Sequence, residues 1–560
     1  MLVLGFNSTH DCSAALIDNG RIDFAIEEER LTRRKHQGGF PTQSIEAILD
    51  YRGIKISDLD AVTYYWNPYS GLGKFAWHFV RSLPGSLTYA RRQPGVWTEM
   101  VGLKRKLRRD YGFKGRFYYV THHLAHAASS FYPSPFDEAA ILTLDGTGEW
   151  ATTLFAQGRN ERISTLGSVN YPHSIGKVYE AVTQYLGYRP MSGEGKVMGL
   201  APYGEPRFLD DFRQILRKTG PMRYEVDTSY FQYQLGKGTK FSPALVKRLG
   251  PAREPESELD DRHRDVAASL QARLEELVLE LARELREASG MKNLCLAGGV
   301  AFNSVMNGRI LREAGFDDVF VTPAANDSGA AMGSALWASY HRGGVKERHP
   351  YPGAGLGPEF SFELIERALK AAGLKYEQPT DLFQDVAEDL AAGRVVAWFQ
   401  GRMEYGPRAL GNRSLLADPR RSDMKDHLNA RVKHREGFRP FAPSVLAEKA
   451  SEWFVDARPS PYMLKVFSVI ESRREQIPAV THIDGTARVQ TVQAEHNPRY
   501  HALIAAFEEK TGVPMLLNTS FNVRGQPIVC SPEEAIESFQ STGIDTLVLG
   551  DFVIRKGTVD

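Results

Sequence analysis

The sequence predicts an α/β protein of two domains, and three observations carry that reading. At 560 residues the chain is well past the ~250 to 300 at which a single hydrophobic core stops growing. Strand, Gly-rich turn and helix alternate through 293–340, a signature of α/β layering. Residues 343–360, GGVKERHPYPGAGLGPEF, carry Gly, Pro and charge without periodicity; they read as a linker between a domain over 1–350 and one over 361–560.

The elements follow in order. MLVLGFNS reads as a first strand, because no basic segment or small-residue cleavage site marks a signal peptide. A polar loop at Asn7 to Asp11 comes next, then a hairpin closed by Asp18-Asn19-Gly20, a helix near 42–51 and a strand AVTYYW; Asn-Gly between apolar runs is a strong hairpin signal. A related unit returns at 138–167: strand AAILTL, the loop Asp145 to Glu149, and a hairpin placed around Gly158. Repetition in this order reads as internal duplication, which often sets a ligand between two halves; two unrelated hairpins would give the same pattern. Val266, Leu270, Leu274, Leu277, Val278, Leu281 and Leu285 fall at three and four residue spacing, a core-facing helix over 264–288 ended by Gly290. Strand NLCLAGGV, helix FNSVMNGRILREAG, strand DVFVTP and the helix entered through NDSGAAMGSALWA complete the first domain; helices at 362–372 and 381–392, strand VVAWFQ and Arg-rich turns open the second. Residues 67–115 give no pattern, and the basic run 104–109 within them reads as a polyanion contact or a solvated face.

Sixty-nine Lys and Arg against 68 Asp and Glu leave a net charge of +1, so no global field points to nucleic acid or membrane. No run approaches the ~18 apolar residues of a membrane span. Cys12, Cys295 and Cys530 are odd in number and far apart, which excludes a disulfide framework or thiolate zinc cluster. The expectation is a cytoplasmic protein with neither nucleic acid nor membrane as partner.

Two constellations carry chemistry. In THHLAHAASSFY, His122 and His126 share one face if the segment is helical, while His123 points elsewhere. Asp145 in LTLDGTGE and Asp327 in AANDSGAAMG stand at strand ends beside Gly, placed to bind a metal or to cap a turn. Two His and two Asp make a mixed N and O set suited to iron, manganese or zinc rather than calcium. Gly193, Gly195 and Lys196, with Gly298, Gly299 and Asn303, lie in Gly loops beside helices; nucleotide binding and tight structural turns both fit them. His10 follows the first strand, where a general base and a hydrogen-bonded structural histidine both fit, and Lys35 and His36 in the run RLTRRKH form a local basic cluster placed to meet an acidic phosphate.

The second constellation is cationic: Arg408, Arg431, Lys433, Arg435, Arg439 and Arg488, framed by Gly and Pro turns, with Asn518, Ser520, Asn522 and Arg524 beyond the strand VPMLL. Arginine's planar fork grips phosphate oxygens in pairs, and clustered cations repel unless anions lie among them.

The segments THDCSAAL, EEERLTRRKH, HHLAHAAS, LDGTGE, GEGKVMGLAPYG, LAGGVAFNSVMNG, GPRALGNRSLLADPR, RVKHREGFRPFAPSV, NPRYHALI and LNTSFNVRGQPIV resemble the O-carbamoyltransferases of the nodulation and antibiotic-tailoring type, the nebramycin and cephalosporin enzymes among them. The resemblance covers most of the chain apart from about 67–115, 205–260 and the linker. It implies an α/β architecture of an N-terminal actin-like (ASKHA, duplicated) domain, similar to the tRNA threonylcarbamoyl transferase, and a C-terminal YrdC-like domain, similar to the threonylcarbamoyl-adenylate synthase. It implies carbamoyl phosphate, ATP with Mg2+ and a hydroxylated small-molecule acceptor as partners, with carbamoyl adenylate made in the C-terminal domain and used in the N-terminal one. His122, His126, Asp145 and Asp327 match the metal ligands, with Fe2+ or another divalent transition metal as cofactor. His10 and Lys35 match transfer-site residues, and Arg408, Lys433, Arg439, Arg488, Asn518 and Ser520 match the carbamoyl phosphate and ATP site. The sequence leaves the acceptor and the oligomeric state open, a homodimer included. A tRNA-modifying enzyme, an actin-like-fold kinase and a non-catalytic scaffold are the competing expectations.

Overall fold

The computed structural model describes residues 1–71, 73–74, 80, 87–236, 238–433 and 435–556, with backbone alone at 87–94. The chain divides into two compact units. The first comprises Met1–Asn7, Ala14–Asp23 and Ile48–Pro350; the second comprises Ser8–Ser13, Phe24–Ala47 and Tyr351–Asp560. The main division thus falls in the Gly/Pro segment, but two short N-terminal stretches pack with the C-terminal half. Their tie is polar: buried Arg30 donates to the Gly406 carbonyl (2.9 Å), and Gly406 N–H donates back to buried Glu27 (2.8 Å). Charge in a dry setting needs such specific partners, and they come from residues ~380 positions away, a separation no local pattern reveals.

The first unit is built on two five-stranded sheets. One contains β1 (Leu2–Asn7), β2 (Ser13–Asp18), β3 (Arg21–Glu27), β4 (Ala61–Tyr64) and β5 (Arg116–Tyr119), in the order β3-β2-β1-β4-β5. The other contains β6 (Glu138–Leu144), β7 (Ala151–Arg159), β8 (Arg162–Asn170), β11 (Asn293–Ala297) and β12 (Asp318–Val321), in the order β8-β7-β6-β11-β12; β9 (Leu216–Gly220) and β10 (Arg223–Val226) form a separate ribbon. In both sheets the opening strand pairs in parallel with the strand that follows the insertion, which pairs in parallel with the last. The shared order is the duplication suggested by the repeated strand, loop and hairpin.

The first hairpin turns as Asn-Gly predicts, with Asn19 at φ 48° and Gly20 at φ 83°. The second does not turn at Gly158. Its turn is Asn160-Glu161, Asn160 standing at φ 51°, and Gly158 lies within β7 because a Cβ there would come 2.4 Å from the Phe131 ring. The Asp261–Ser289 helix buries its Val266 to Leu285 stripe and ends at Gly290 in the left-handed region. In the Leu87–Asp110 helix, Leu103 and Leu107 are buried while Lys104, Arg105, Arg108 and Arg109 are exposed, a solvated basic face; part of the 67–115 region lies outside the described residues.

The second unit carries a mixed eight-stranded sheet of β13 (Val396–Phe399), β14 (Arg413–Ala417), β15 (Ala442–Leu446), β16 (Lys465–Ser468), β17 (Thr486–Val492), β18 (Met515–Ser520), β19 (Thr546–Leu549) and β20 (Phe552–Arg555). Its order is β16-β17-β15-β18-β14-β13-β19-β20. β13 and β19 run parallel, as do β15 and β17, and the remaining pairs are antiparallel. Among the described residues no helix is long and apolar enough to cross a membrane.

Candidate active site

Parallel strands end on one edge of a sheet, so the loops that follow them converge. Asp145 follows β6, Gly298 and Gly299 follow β11, and Asp327 opens the Asp327–His341 helix beyond β12. The approach is tight: a Cβ on Gly298 (φ 91°) would fall 2.1 Å from the Leu144 carbonyl oxygen, and one on Gly299 would stand 3.3 Å from Asp145 Oδ1. The His122–Phe131 helix supplies two imidazoles from one face. His122 Nε2 and His126 Nε2 lie 3.1 and 2.9 Å from Asp145 Oδ2, 3.8 and 3.6 Å from Asp327 Oδ1, and 3.1 Å from each other.

Four ligand-type atoms within 4.8 Å of one another suit a divalent metal with mixed N and O donors. The set of His122, His126, Asp145 and Asp327 is therefore compatible with the metal the resemblance implies. Tyr65, which the sequence did not single out, donates its hydroxyl to Asp327 Oδ2 (3.2 Å). Glu149 accepts from His122 N (3.0 Å) and Asn67 N (2.7 Å), so a carboxylate sits where helix N-terminal amides need an acceptor. His123 points away, pairing with Thr143 Oγ1 (2.6 Å) and the Ala151 carbonyl (3.0 Å). Without metal, burial opposes charge on His126, yet its hydrogen bonds to Asp145 and Asp327 raise it to about 9. Burial, reinforced by His122 and His126, pushes His123 down to about 3.

The Gly-loop residues divide. Gly193 caps the seven-residue Glu194–Leu200 helix against Tyr188, Gly195 has open space around it, and Lys196 Nζ lies 5.2 Å from the Tyr188 ring centre. Asn303 is committed to structure: its Oδ1 accepts from Met306 N (3.0 Å) as a helix cap, and its amide exchanges two hydrogen bonds with Gln271. The cap signal and a ligand signal look alike in sequence, because both need a short polar side chain before a helix.

The second unit gathers the cations. Burial lowers Arg408 to about 10, with Arg439 adding to it; burial and Arg439 lower Arg435 to about 9. Arg488 is held well below the usual guanidinium range by burial and by Arg408, Arg435 and Arg439. Lys433 is lowered by burial and by Arg435, Arg439 and Lys35. Among the described residues the Nε atoms of Arg408 and Arg488 are buried without a hydrogen-bond partner. Lys433 Nζ is seated at the end of β18, donating to the Ser520 and Asn522 carbonyls and to Asn522 Oδ1 (2.9 Å). Asn518 is buried and donates to Ser444 Oγ (2.9 Å) and Gln490 Oε1 (3.1 Å). Arg431 and Arg524 are exposed and are not among the cations that depress these groups.

His10 and Lys35 belong to the second unit, in the Ser8–Ser13 and Phe24–Ala47 stretches, whereas His122, His126, Asp145 and Asp327 belong to the first. The sequence missed Asp11 and read His36 only as part of a basic cluster with Lys35: Asp11 Oδ1 lies 3.0 Å from His10 Nδ1 and 2.8 Å from His36 Nδ1.

Residues 2–336 match the family described as Carbamoyltransferase N-terminus, and residues 387–556 match Carbamoyltransferase C-terminus. The chain belongs to the carbamoyltransferase family. This carbamoyltransferase is 43% identical to an uncharacterized protein of Synechocystis sp., over 99% of this chain and 96% of that one. It is 40% identical to the nodulation protein NolNO of Sinorhizobium fredii (98% of this chain, 79% of the relative). The 3'-hydroxymethylcephem-O-carbamoyltransferase of Amycolatopsis lactamdurans is 30% identical over 98% of both chains. Among solved structures, HypF of T. kodakarensis aligns with 61% of this chain and 48% of its own at 16% identity and a TM-score of 0.34. As a carbamoyltransferase, the enzyme takes a carbamoyl donor and an acceptor as substrates.

Proposed function

We propose that this carbamoyltransferase is ATP-dependent and modifies a hydroxyl of a small natural-product or sugar acceptor. The C-terminal half, read as YrdC-like, hydrolyses carbamoyl phosphate, water displacing phosphate to leave carbamate, and the carbamate oxygen attacks the ATP α-phosphorus with loss of pyrophosphate. The N-terminal half, read as the duplicated actin-like type, carries the metal ligands of the transfer chemistry. In the transfer step the acceptor oxygen bonds to the carbamoyl carbon, the bond from that carbon to the adenylate oxygen breaks with its electron pair leaving on AMP, and the acceptor proton passes to His10. Lys35 offsets developing anionic charge. A divalent metal such as Fe2+ at His122, His126, Asp145 and Asp327 supplies a Lewis acid when bound. Cytoplasmic location and a homodimeric assembly are part of the same proposal.

One observation carries the reading: Arg408, Arg435, Arg488 and Lys433 lie in one unit, where burial and then neighbouring cations, Arg439 beside each of them, hold their proton affinity down, and the Nε atoms of Arg408 and Arg488 have no hydrogen-bond partner among the described residues. Such a cluster is costly when empty and favourable around a compact polyanion. Its neighbours Ser520 and Asn518 are suited to hydrogen-bond a planar amide. The test is incubation with carbamoyl phosphate, ATP and Mg2+ without acceptor, followed by mass spectrometry. Pyrophosphate with carbamoyl adenylate is the expected product; ADP alone, or no turnover, refutes the proposal.

A further inference from the structure

We infer that Asp11 is a positioning residue that holds His10 and His36 in one tautomer, with both Nε2 atoms left as the basic nitrogens. The inference rests on the proposed role of His10 as general base, and it assigns work to two residues that role does not name.

The argument begins with the backbone. Asp11 (φ 53°) and His36 (φ 58°) both adopt the left-handed conformation that side-chain-bearing residues avoid. Such conformations persist where surrounding structure fixes them, and they gather at functional sites. Here the surroundings are explicit: Cys12 N–H donates to the Gln37 carbonyl (2.9 Å) and Gly39 N–H to the Ser8 carbonyl (3.0 Å), tying the two loops side by side. His36 N–H also donates to Glu29 Oε2 (2.7 Å).

The tie brings both imidazoles to one carboxylate oxygen. Asp11 Oδ1 lies 3.0 Å from His10 Nδ1 and 2.8 Å from His36 Nδ1, and the ring centres are 4.9 Å apart. An ionised carboxylate only accepts hydrogen bonds, so both Nδ1 atoms carry the proton and both Nε2 atoms carry the lone pair. Although burial opposes its charge, the two imidazoles hold Asp11 far below the usual carboxylate range, so the acceptor persists through neutral pH. His36 Nε2 is buried and has no hydrogen-bond partner among the described residues. Lys35 stands among Glu29, Arg30, Arg439 and Asp11, and Lys433 feels Lys35 in turn, so the pair borders the anion-binding cluster of the same unit. A base aimed by a carboxylate at its other nitrogen is the arrangement that keeps an imidazole in the reactive tautomer and stabilises its protonated form.

The test uses the full-length enzyme with selectively 15N-labelled histidine. The wild-type spectrum should show Nδ1-protonated tautomers for His10 and His36, each assigned by its own substitution. Asp11→Asn should mix the tautomers and lower transfer kcat by roughly 10²-fold or more, with acceptor KM little changed; Asp11→Glu should recover part of the rate. His36→Ala, which removes one donor to Asp11 and leaves His10 in place, should cost less than Asp11→Asn. Nε2-protonated tautomers in the wild type, or wild-type transfer by a folded Asp11→Asn enzyme, overturn the inference. Absence of carbamoyl adenylate in the wild type would defeat the functional proposal instead, and the tautomer spectra would still decide the pairing.

Discussion

Gly333→Ala tests whether helix packing holds the His122, His126, Asp145 and Asp327 cluster proposed to bind metal. Gly333 lies on the Asp327–His341 helix where it crosses the His122–Phe131 helix, and an added Cβ would fall 1.9 Å from the Ala125 carbonyl oxygen and 2.7 Å from Ser129 N. Backbone cannot swing away as a side-chain tip can, so the helices must part by about 1.5 Å to reach ordinary contact. Ala gains about 1 kcal/mol of helix propensity over Gly, but overpacking of this kind costs roughly 1–3 kcal/mol or more. The net expectation is a loss of up to about 2 kcal/mol. The same separation moves Asp327 away from His122 and His126, whose ligand atoms now lie within 4.8 Å of one another and of Asp145. Metal affinity should therefore fall together with stability. Urea unfolding with and without added metal, and calorimetric titration of Fe2+ or Zn2+ into chelator-treated protein, read the two effects; Gly195→Ala, with nothing within 4 Å of the new methyl, is the control. A Gly333→Ala protein with wild-type midpoint and wild-type metal affinity would refute the packing argument.

Three further outcomes are expected. His126→Ala should abolish bound metal in elemental analysis and lower carbamoyl transfer while pyrophosphate release continues; retained stoichiometric metal would exclude the four-residue site. Arg488→Met should abolish carbamoyl adenylate formation and raise the unfolding midpoint of the ligand-free protein, since it removes a cation held among Arg408, Arg435 and Arg439; loss of both activity and stability would point to a structural arginine. His123 is held at about 3 against 6.5 for the free side chain. Between those values the unfolded chain binds a proton that the folded chain does not, so the His123 contribution is whole above pH 6.5 and is lost as pH falls toward 3, by roughly 1.4 kcal/mol per unit at most. His123→Gln should flatten that part of the pH–stability curve, and an unchanged slope would contradict the assignment.

The meeting of His122, His126, Asp145 and Asp327 was legible because chemistry and periodicity agree: His at i and i+4 share a helix face, and Asp beside Gly at a strand end meets them across one sheet edge. The cationic cluster was legible because Arg in Gly and Pro turns has few structural uses, although Arg431 and Arg524 carry the same signature and stand exposed. Gly158 looked like a turn residue and is a contact with Phe131; glycine marks close approach as readily as a bend. Asn303 looked like a ligand and caps a helix. Asp11 and its pairing with His36 could not be read, because the pairing depends on two loops that meet only after the chain has folded.

Arg33 donates to the carbonyls of Pro527 and Ile528, across separations of 494 and 495 residues. At ~5–20 residues per second, the ribosome delivers those carbonyls roughly 25–100 s after Arg33. For that interval the stretch that carries Lys35 and His36 has emerged without the partners that shape it. A chaperone that shields residues 24–47 during translation would raise the yield of folded enzyme more than one that acts on the finished chain.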